Sequence, residues 1–289
     1  MAENRKFGLI GHPIAHSQSP ALFRAAYGGK YAYDLIEGDV FEESYRRFLE
    51  GYAGINVTAP FKGNAYRMTD IRSRECERVG ATNLLVKTDK GIKGYNTDYY
   101  GVVLTVLSAV RSVFGAAGPD DLSALPARPS PQEMRDALGG KVKKALVVGC
   151  GGAGKAAAAA VADMGLETTL MNRTAEKAES LAKTLSDSNV KVLPVSKLVE
   201  AVAQSDITIY TLPAPTGGEV FLKECFKPGD RKILIEANYR DPVLKDILES
   251  VPGCTYIHGQ TWLLFQAYAG YDIFTGETPS IENMASILK

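Results

Sequence analysis

The chain has 289 residues, 45% of them hydrophobic and 23% charged, which is enough for two modest domains with sizeable cores. Its 33 Lys and Arg residues balance its 33 Asp and Glu residues, which argues against a surface built to attract nucleic acid or an anionic membrane. No apolar run approaches the roughly 18 residues of a membrane span, and no segment near the charged N-terminus suits a signal peptide. We therefore expect a soluble cytoplasmic protein that binds neither nucleic acid nor membrane.

The first part of the chain alternates short apolar strands with amphipathic helices, as an α/β domain does. The pattern predicts strands at residues 7–10, 31–36 and 54–58, and a hairpin of residues 82–87 and 93–95. It predicts a helix that Pro20 opens, followed by helices at residues 41–49, 62–68, 73–79 and 98–113.

Residues 115–140 differ in composition from the segments on either side. They contain four prolines and many Ala, Gly and Ser residues, which is typical of a linker or a surface insertion. One short helix is predicted inside this stretch, at residues 132–138.

From residue 144 onward strands and helices alternate regularly, which predicts a doubly wound parallel sheet. The predicted strands are residues 145–148, 167–171, 190–194, 207–212 and 233–237. The predicted helices are residues 154–164, 175–185, 198–203 and 242–250, and an aromatic-rich helix at 262–274 closes the chain.

A glycine-rich turn joins the first of these strands to its helix. Gly149, Gly151 and Gly154 have the G-x-G-x-x-G spacing, which allows a tight turn, a close approach to a pyrophosphate and close packing of the helix. The helix N-terminus adds N–H groups and a positive dipole end, so Gly152 and Ala153 belong to the same predicted phosphate site. The turn predicts a dinucleotide cofactor.

The residues after the second strand of this sheet choose between NAD and NADP. A carboxylate there binds the ribose 2′-hydroxyl of NAD, whereas a basic residue accommodates the 2′-phosphate of NADP. The strand is followed by Asn172, Arg173 and Thr174, with Lys177 one turn further on. The Arg173 guanidinium matches phosphate oxygens, and Thr174 can add a hydroxyl while it caps the next helix. NADP is the predicted cofactor.

The cysteines and histidines favour neither a disulfide framework nor a metal site. The four cysteines are widely spaced without a C-x-x-C motif, which is typical of reduced thiols in a cytoplasm. His12 and His16 are four residues apart, but Pro13 places them in a loop instead of on one helix face. We predict no metal.

Two polar clusters in the first half of the chain suit the chemistry of a carbonyl reduction. One ends at Lys62, and the other contains Asp98 at the start of a long helix. A hydride added to a ketone leaves an alkoxide, which a lysine ammonium can protonate while a carboxylate positions that ammonium. The spacing alone also fits a solvated lysine and an aspartate that caps its helix.

Several motifs in one order resemble the shikimate dehydrogenase family. They are residues 11–20 (GHPIAHSQSP), 56–62 (NVTAPFK), 80–83 (GATN), 94–98 (GYNTD), 149–154, 172–174 and the segment through Gln266. The resemblance covers nearly the whole chain apart from residues 115–140. It implies NADP-linked, reversible reduction of 3-dehydroshikimate to shikimate, a step of chorismate and aromatic amino acid biosynthesis.

The resemblance also implies two α/β domains, of which one interrupts the other. A substrate-binding domain of residues 1–107 would be completed by the C-terminal helices of residues 258–289. A Rossmann-like, doubly wound NADP domain of residues 108–257 would lie between them in sequence, with 115–140 as its linker or insertion. The protein would be a monomer or a homodimer.

Position by position, the resemblance assigns roles to single residues. Lys62 matches the family's catalytic lysine, and Asp98 matches the carboxylate that works with it. Ser17 and Ser19 match the serines that bind the substrate carboxylate. Thr58, Asn83 and Gln266 match residues that bind the substrate carboxylate or its ring hydroxyls. Tyr239 corresponds to a tyrosine near the substrate site.

The chain departs from the family pattern at three places. Residues 210–213 read YTLP where the family has Asn-Ala-Thr-Pro or Asn-Thr-Thr. Glu236 replaces an Asp, and the Tyr-Asn-Pro that follows is one residue longer here, at 239–242 (YRDP). Leu263 replaces a methionine, which is a mild apolar exchange.

Three other functions stay open from the sequence. A quinate/shikimate dehydrogenase would use NAD, and Ser17, Ser19 and Arg173 argue against it. A metabolite sensor on the same scaffold would need no proton-transfer pair, and this chain has Lys62 and Asp98. A different NADP-dependent reductase would not explain the N-terminal motifs.

Overall fold

The computed structural model describes residues 5–115 and 126–288, so part of the predicted 115–140 insertion lies outside the described residues. The chain divides into two compact units, Met1–Gly101 with Leu264–Lys289, and Val102–Leu263. Two long helices contain the unit boundaries, Thr97–Phe114 and Gly259–Thr275. No helix within the described ranges is both long enough and apolar enough to span a membrane.

The first unit is built on a mixed six-stranded sheet in the order β2-β1-β3-β5-β6-β4. Strand β1 is parallel to β2 and β3, whereas β5 is antiparallel to β3 and β6. The strands are β1 (Lys6–Gly11), β2 (Ala32–Glu37), β3 (Gly54–Val57), β4 (Ile71–Arg72), β5 (Leu84–Thr88) and β6 (Gly91–Tyr95). Its helices are α1 (Ser19–Ala26), α2 (Phe41–Gly51), α3 (Lys62–Arg67), α4 (Arg74–Val79), the start of α5 (Thr97–Phe114), most of α11 (Gly259–Thr275) and α12 (Ile281–Ile287).

Alternation along β1 gives this sheet a packed core on each face. The Phe7 ring lies 5.4 Å from Phe23 of α1 and 4.9 Å from Phe274 of α11, measured between centroids. Ile10, three residues further on, packs in a cluster with Phe48 of α2 and Ile55 of β3. Because successive side chains point to opposite faces, one strand anchors both layers.

The second unit contains a fully parallel sheet in the order β12-β11-β10-β7-β8-β9. Its strands are β7 (Lys144–Val148), β8 (Glu167–Met171), β9 (Val190–Val192), β10 (Ile207–Tyr210), β11 (Lys232–Glu236) and β12 (Cys254–Ile257). Its helices are the rest of α5, α6 (Pro131–Leu138), α7 (Gly152–Asp163), α8 (Ala175–Thr184), α9 (Leu198–Gln204) and α10 (Lys245–Leu248), with a 3-10 segment at Glu219–Cys225. The chain leaves β9 and continues on the other side of β7, which creates a switch point between β7 and β10.

The predicted α/β class with a doubly wound sheet is confirmed, and the differences are local. Strands β4 and β12, helix α12 and the 3-10 segment were not predicted. The helix predicted at residues 242–250 is limited to Lys245–Leu248, and the N–H groups of Val243 and Leu244 before it bond to the Glu236 side chain. The helix predicted from residue 154 begins earlier, at Gly152.

We expect Phe7→Ala to lower the free energy of unfolding by about 3 to 5 kcal/mol, because it removes a fully buried ring from the aromatic core. Phe221→Ala is the matched control, since the Phe221 side chain is 53% exposed. The control should change stability by no more than about 0.5 kcal/mol. Urea unfolding followed by circular dichroism measures both, and equal effects would contradict the assigned core.

Candidate active site

The glycine-rich turn after β7 has a backbone that only glycine fits at two positions. Gly149 has a φ of +103°, and its N–H donates to the Met171 carbonyl at 2.7 Å. A Cβ on Gly154 would lie 1.9 Å from the Gly149 carbonyl oxygen. The first and third glycines of the motif therefore allow the tight turn and the close packing that the spacing predicts.

The first turn of α7 has the open backbone that a pyrophosphate needs. Gly151 occupies the N-cap position and offers no side chain, so the first N–H groups of the helix have no capping partner. Gly151 and Gly152 are exposed, and a Cβ on either would meet nothing within 4 Å. Ala153 is half-buried at the next position. These groups fit a dinucleotide phosphate at the positive end of a helix.

Asn172 ties the glycine turn to the end of β8. Its Oδ1 accepts from the Cys150 N–H at 3.0 Å, and its Nδ2 donates to the Thr174 carbonyl at 2.9 Å. Both ends of the Asn172 amide are therefore engaged within the protein. Within the predicted cofactor site, Asn172 connects the glycine turn to the segment that contains Arg173 and Thr174.

Two basic side chains follow on the solvent side. Arg173 and Lys177 are exposed, and within the described chain the Arg173 guanidinium forms no hydrogen bond or ion pair. Thr174 is the N-cap residue of α8, but its side chain makes no capping hydrogen bond. The expectation that its hydroxyl caps the helix was wrong: at this end of α8 it is the Thr174 carbonyl that accepts from the Lys177 N–H.

Thr211 was not predicted from the sequence, although it completes the same loop. Its hydroxyl donates to the Val148 carbonyl at 3.0 Å and lies 3.3 Å from the Gly149 oxygen. A Cβ on Gly149 would lie 2.4 Å from that hydroxyl. The segment after β10 is thus attached to the glycine turn.

In the first unit, the structure brings Lys62 and Asp98 into contact. Lys62 is the first residue of α3, and Asp98 lies in the first turn of α5. The Lys62 ammonium donates to Asp98 Oδ2, and their side chains are 29% and 16% exposed. A partly buried ion pair of this kind holds the ammonium in one place while part of it still reaches solvent. Thr58 lies just before α3, where its carbonyl accepts from the Phe61 N–H at 2.9 Å.

Asn83 and Gln266 meet at Thr97, which the sequence did not indicate as a site residue. Asn83 Oδ1 accepts from the Thr97 N–H at 2.7 Å, and Asn83 Nδ2 donates to Thr97 Oγ1 at 3.1 Å. Gln266 Oε1 lies 3.3 Å from Thr97 Oγ1 and 3.5 Å from Asn83 Nδ2. One hydroxyl thus sets the orientation of both amides.

Ser17 and Ser19 lie side by side at the start of α1. Their hydroxyl oxygens are 3.2 Å apart, and the Ser19 N–H donates to Ser17 Oγ at 3.3 Å. Tyr271 of α11 donates to the Ser19 carbonyl at 3.1 Å. Since Ser19 is the first residue of α1 and Gln18 is its cap, neither serine hydroxyl is used as a helix cap. Both can rotate toward an incoming acceptor.

Tyr239 belongs to the second unit, whereas the other predicted substrate binders belong to the first. It lies in the loop after β11 and is half-buried, with the Arg240 guanidinium 5.7 Å from the ring centroid. Its position in the longer loop of this chain follows from the Asn238 side chain, which donates to the Asp241 carbonyl at 2.6 Å.

The cysteine thiols are not arranged for chemistry. All four are unpaired, and burial raises the pKa of Cys76 and of Cys150 to about 11. Both thiols are therefore protonated near neutral pH and are weak nucleophiles, even though Cys150 lies in the glycine turn. Among residues 5–115 and 126–288, no three His, Cys, Asp or Glu side chains gather as metal ligands.

Comparison with known proteins gives consistent matches along the chain. Residues 9–85 match the family model of the shikimate dehydrogenase substrate binding domain, and residues 133–226 match that of shikimate/quinate 5-dehydrogenase. A shikimate dehydrogenase (NADP(+)) of Acidiphilium cryptum is 30% identical over 96% of this chain and 93% of its own length.

Solved structures extend the comparison. Shikimate dehydrogenase of Mycobacterium tuberculosis covers 98% of both chains with a TM-score of 0.77 and 29% identity. The quinate dehydrogenase of Corynebacterium glutamicum, solved with NAD, has a TM-score of 0.77 over 99% of this chain and 98% of its own. At 21% identity, the second likeness shows the fold alone.

We expect Gly154→Ala to weaken dinucleotide binding by at least about tenfold and to lower the melting temperature, because its Cβ meets the Gly149 backbone. The matched control is Gly152→Ala, whose Cβ enters open space in a helical position. This control should fold at least as stably as the wild type, since Ala favours helix over Gly. Thermal melts and nucleotide titrations measure both, and a Gly154→Ala variant with unchanged binding would contradict the assigned loop.

Proposed function

This chain belongs to the shikimate dehydrogenase family, and we propose that it catalyses the reversible reduction of 3-dehydroshikimate to shikimate with NADP. The observation that carries the proposal is the contact between Lys62 and Asp98 in the unit that the substrate-binding family model matches. We assign substrate binding to the first unit and NADP binding to the second. A cytoplasmic location and a monomeric or homodimeric state remain predictions.

Lys62 is proposed as the group that exchanges a proton with the substrate oxygen. When bound, NADPH would supply the hydride for the carbonyl carbon, and negative charge would then develop on the substrate oxygen. The Lys62 ammonium donates a proton to this oxygen, and in the reverse direction the neutral amine accepts it. Asp98 acts by holding the ammonium in place and by stabilising its charge before transfer.

The substrate carboxylate is assigned to the two serine hydroxyls at the start of α1. Ser17 and Ser19 lie close enough to donate to the two oxygens of one carboxylate. Asn83 and Gln266, which Thr97 orients, are assigned to ring hydroxyls, as is Thr58. The assignment of Tyr239, which belongs to the second unit, to substrate binding stays a prediction from the sequence.

NADP is proposed to bind at the turn of Gly149–Gly154 through its pyrophosphate and at Arg173 through its 2′-phosphate. Arg173 is exposed and forms no hydrogen bond or ion pair in the described ranges, so binding a phosphate costs no existing ion pair. Lys177, one helical turn further on, can add a second positive charge. Asn172 would hold the segment of residues 172–174 against the glycine turn.

A spectrophotometric assay of the purified protein with shikimate or quinate, each with NADP or NAD, tests the whole proposal. We expect the highest kcat/KM with shikimate and NADP. Higher efficiency with quinate and NAD would favour the quinate/shikimate alternative. Binding of shikimate without turnover of any pair would favour a metabolite sensor.

We expect Lys62→Ala to lower kcat by on the order of 10² to 10⁴, which is typical of the loss of an acid–base group. The dissociation constant of shikimate should change little, because Lys62 is not assigned to hold the substrate. Lys90→Ala, an exposed lysine in the turn between β5 and β6, is the control and should keep wild-type turnover. An unchanged kcat in Lys62→Ala would remove Lys62 from the mechanism.

We expect Arg173→Ala to raise the KM for NADP by about tenfold or more, with little effect on the KM for NAD, because only NADP carries the 2′-phosphate. Lys183→Ala, an exposed change near the far end of α8, should affect neither KM. Equal increases for both cofactors in Arg173→Ala would mean that Arg173 does not contact the 2′-phosphate.

A further inference from the structure

Two carboxylates are buried in the second unit close to the carboxyl ends of its central strands. Glu219 is 2% exposed and begins the 3-10 segment after β10, and Glu236 is 0% exposed and ends β11. Neither forms an ion pair with a Lys or Arg within the described chain. Burying a carboxylate without a cation costs several kcal/mol, so an arrangement of two requires an explanation.

Glu219 is surrounded by hydrogen-bond donors only. Its Oε1 accepts from the Tyr210 hydroxyl at 2.6 Å and from the N–H and hydroxyl of Thr216, each at 2.8 Å. Its Oε2 accepts from the Gly217 N–H at 2.8 Å. Burial by itself would raise the pKa of Glu219, but the hydrogen bonds from Tyr210 and Thr216 outweigh it and lower the pKa. Glu219 is therefore a carboxylate anion at neutral pH.

Glu236 has the same kind of surroundings. It accepts from the N–H groups of Val243 and Leu244 and from the Tyr256 hydroxyl, the last two at 3.0 and 2.7 Å. Burial and the bond to Glu236 raise the pKa of Tyr256 well above its ordinary range, so this phenol stays a neutral donor. Every partner of Glu236 is a donor, which matches an acceptor-only, ionised carboxylate.

Glu219 and Glu236 follow or end strands that lie beyond the switch point of the sheet, β10 and β11. Tyr210 ends β10 and is in register with Glu236 at the end of β11. Thr211 attaches this edge to the glycine turn of β7. In a doubly wound sheet the glycine turn holds the pyrophosphate, and the strands beyond the switch point receive the nicotinamide half.

The charge of a nicotinamide ring depends on its redox state. The oxidised ring of NADP⁺ carries one positive charge, and addition of a hydride to it gives the neutral ring of NADPH. We propose that Glu219 and Glu236 select the oxidised cofactor, because their unpaired negative charges stabilise NADP⁺ and have no equivalent effect on NADPH. The inference rests on the proposed function in taking NADP as the cofactor.

The ratio of two dissociation constants, Kd(NADPH)/Kd(NADP⁺), tests this selection without any turnover. Calorimetric titration gives both constants for the wild type and for Glu219→Gln, which removes one charge and keeps the shape. We expect the ratio to fall by about three- to tenfold in Glu219→Gln, the size expected for one charge acting over several ångströms of protein. A purely structural lesion would weaken both forms equally and leave the ratio unchanged.

Two controls separate charge from packing. Glu224→Gln removes an exposed carboxylate from the same 3-10 segment and should leave the ratio at its wild-type value. Tyr210→Phe removes the hydroxyl that donates to Glu219 but leaves the three hydrogen bonds from Thr216 and Gly217, which still stabilise the carboxylate anion, so its ratio should also stay within about twofold of wild type. A fall in Tyr210→Phe as large as in Glu219→Gln would overturn the electrostatic interpretation.

Glu236→Gln is a second variant, which tests the proposed selection of NADP⁺ if Glu219→Gln does not fold. Its ratio should fall in the same direction. Unchanged ratios in the folded variants would overturn the inference and leave the proposed function intact. A wild type that binds neither NADP⁺ nor NADPH would instead overturn the proposed function.

Discussion

In the second unit, a backbone contact too close for any side chain fixes the glycine turn, where we propose that NADP binds. Gly154 lies against the Gly149 carbonyl, and Gly149 lies against the Thr211 hydroxyl, so β7, α7 and the segment after β10 meet at one point. This contact places the start of α7 directly over the end of its strand. The exposed N–H groups at Gly151 and Gly152, and the corner that carries Arg173, take their positions from it.

The first unit depends on contacts between its N-terminal and C-terminal segments. Gln266 contacts Asn83 and Thr97, and Tyr271 contacts Ser19, across more than 160 residues of sequence. The second unit occupies the sequence between these partners. Helix α11 therefore supplies both a wall of the aromatic core and the side chains that orient the proposed substrate binders.

Most of the fold could be predicted because its elements carry strong patterns. The strand predicted at residues 167–171 coincides with β8, and the glycine spacing located the start of α7 to within two residues. Strand β12 was missed because all four of its residues are only half-buried, and β4 was missed because it has two residues. The helix near residue 245 was predicted too long, because the local pattern cannot show that the residues before Lys245 are held by the Glu236 side chain.

The site could be predicted from the sequence only in part. The chemistry of a reduction favours a lysine and a carboxylate, but spacing cannot show that Lys62 meets Asp98, because 36 residues separate them. The resemblance to a family supplied that pair. Thr97 and Thr211 escaped notice because each looks like an ordinary residue at the end of an element, and their importance lies in contacts distant in sequence.

The departures from the family pattern near residues 210 and 236 involve two buried glutamates that are stabilised in the same way, each by a tyrosine hydroxyl and backbone N–H groups. Glu236 accepts from the N–H groups of Val243 and Leu244, and the resemblance to the family implies that the loop before them is one residue longer here. The Asn238 side chain stabilises the turn of this loop, since its Oδ1 accepts from the N–H groups of Arg240 and Asp241 at 3.3 Å. Tyr210 provides the phenol that Glu219 needs, as Tyr256 does for Glu236. Each anion is thus stabilised by neutral donors and, in the part of the chain that the structure describes, forms no ion pair with a Lys or Arg.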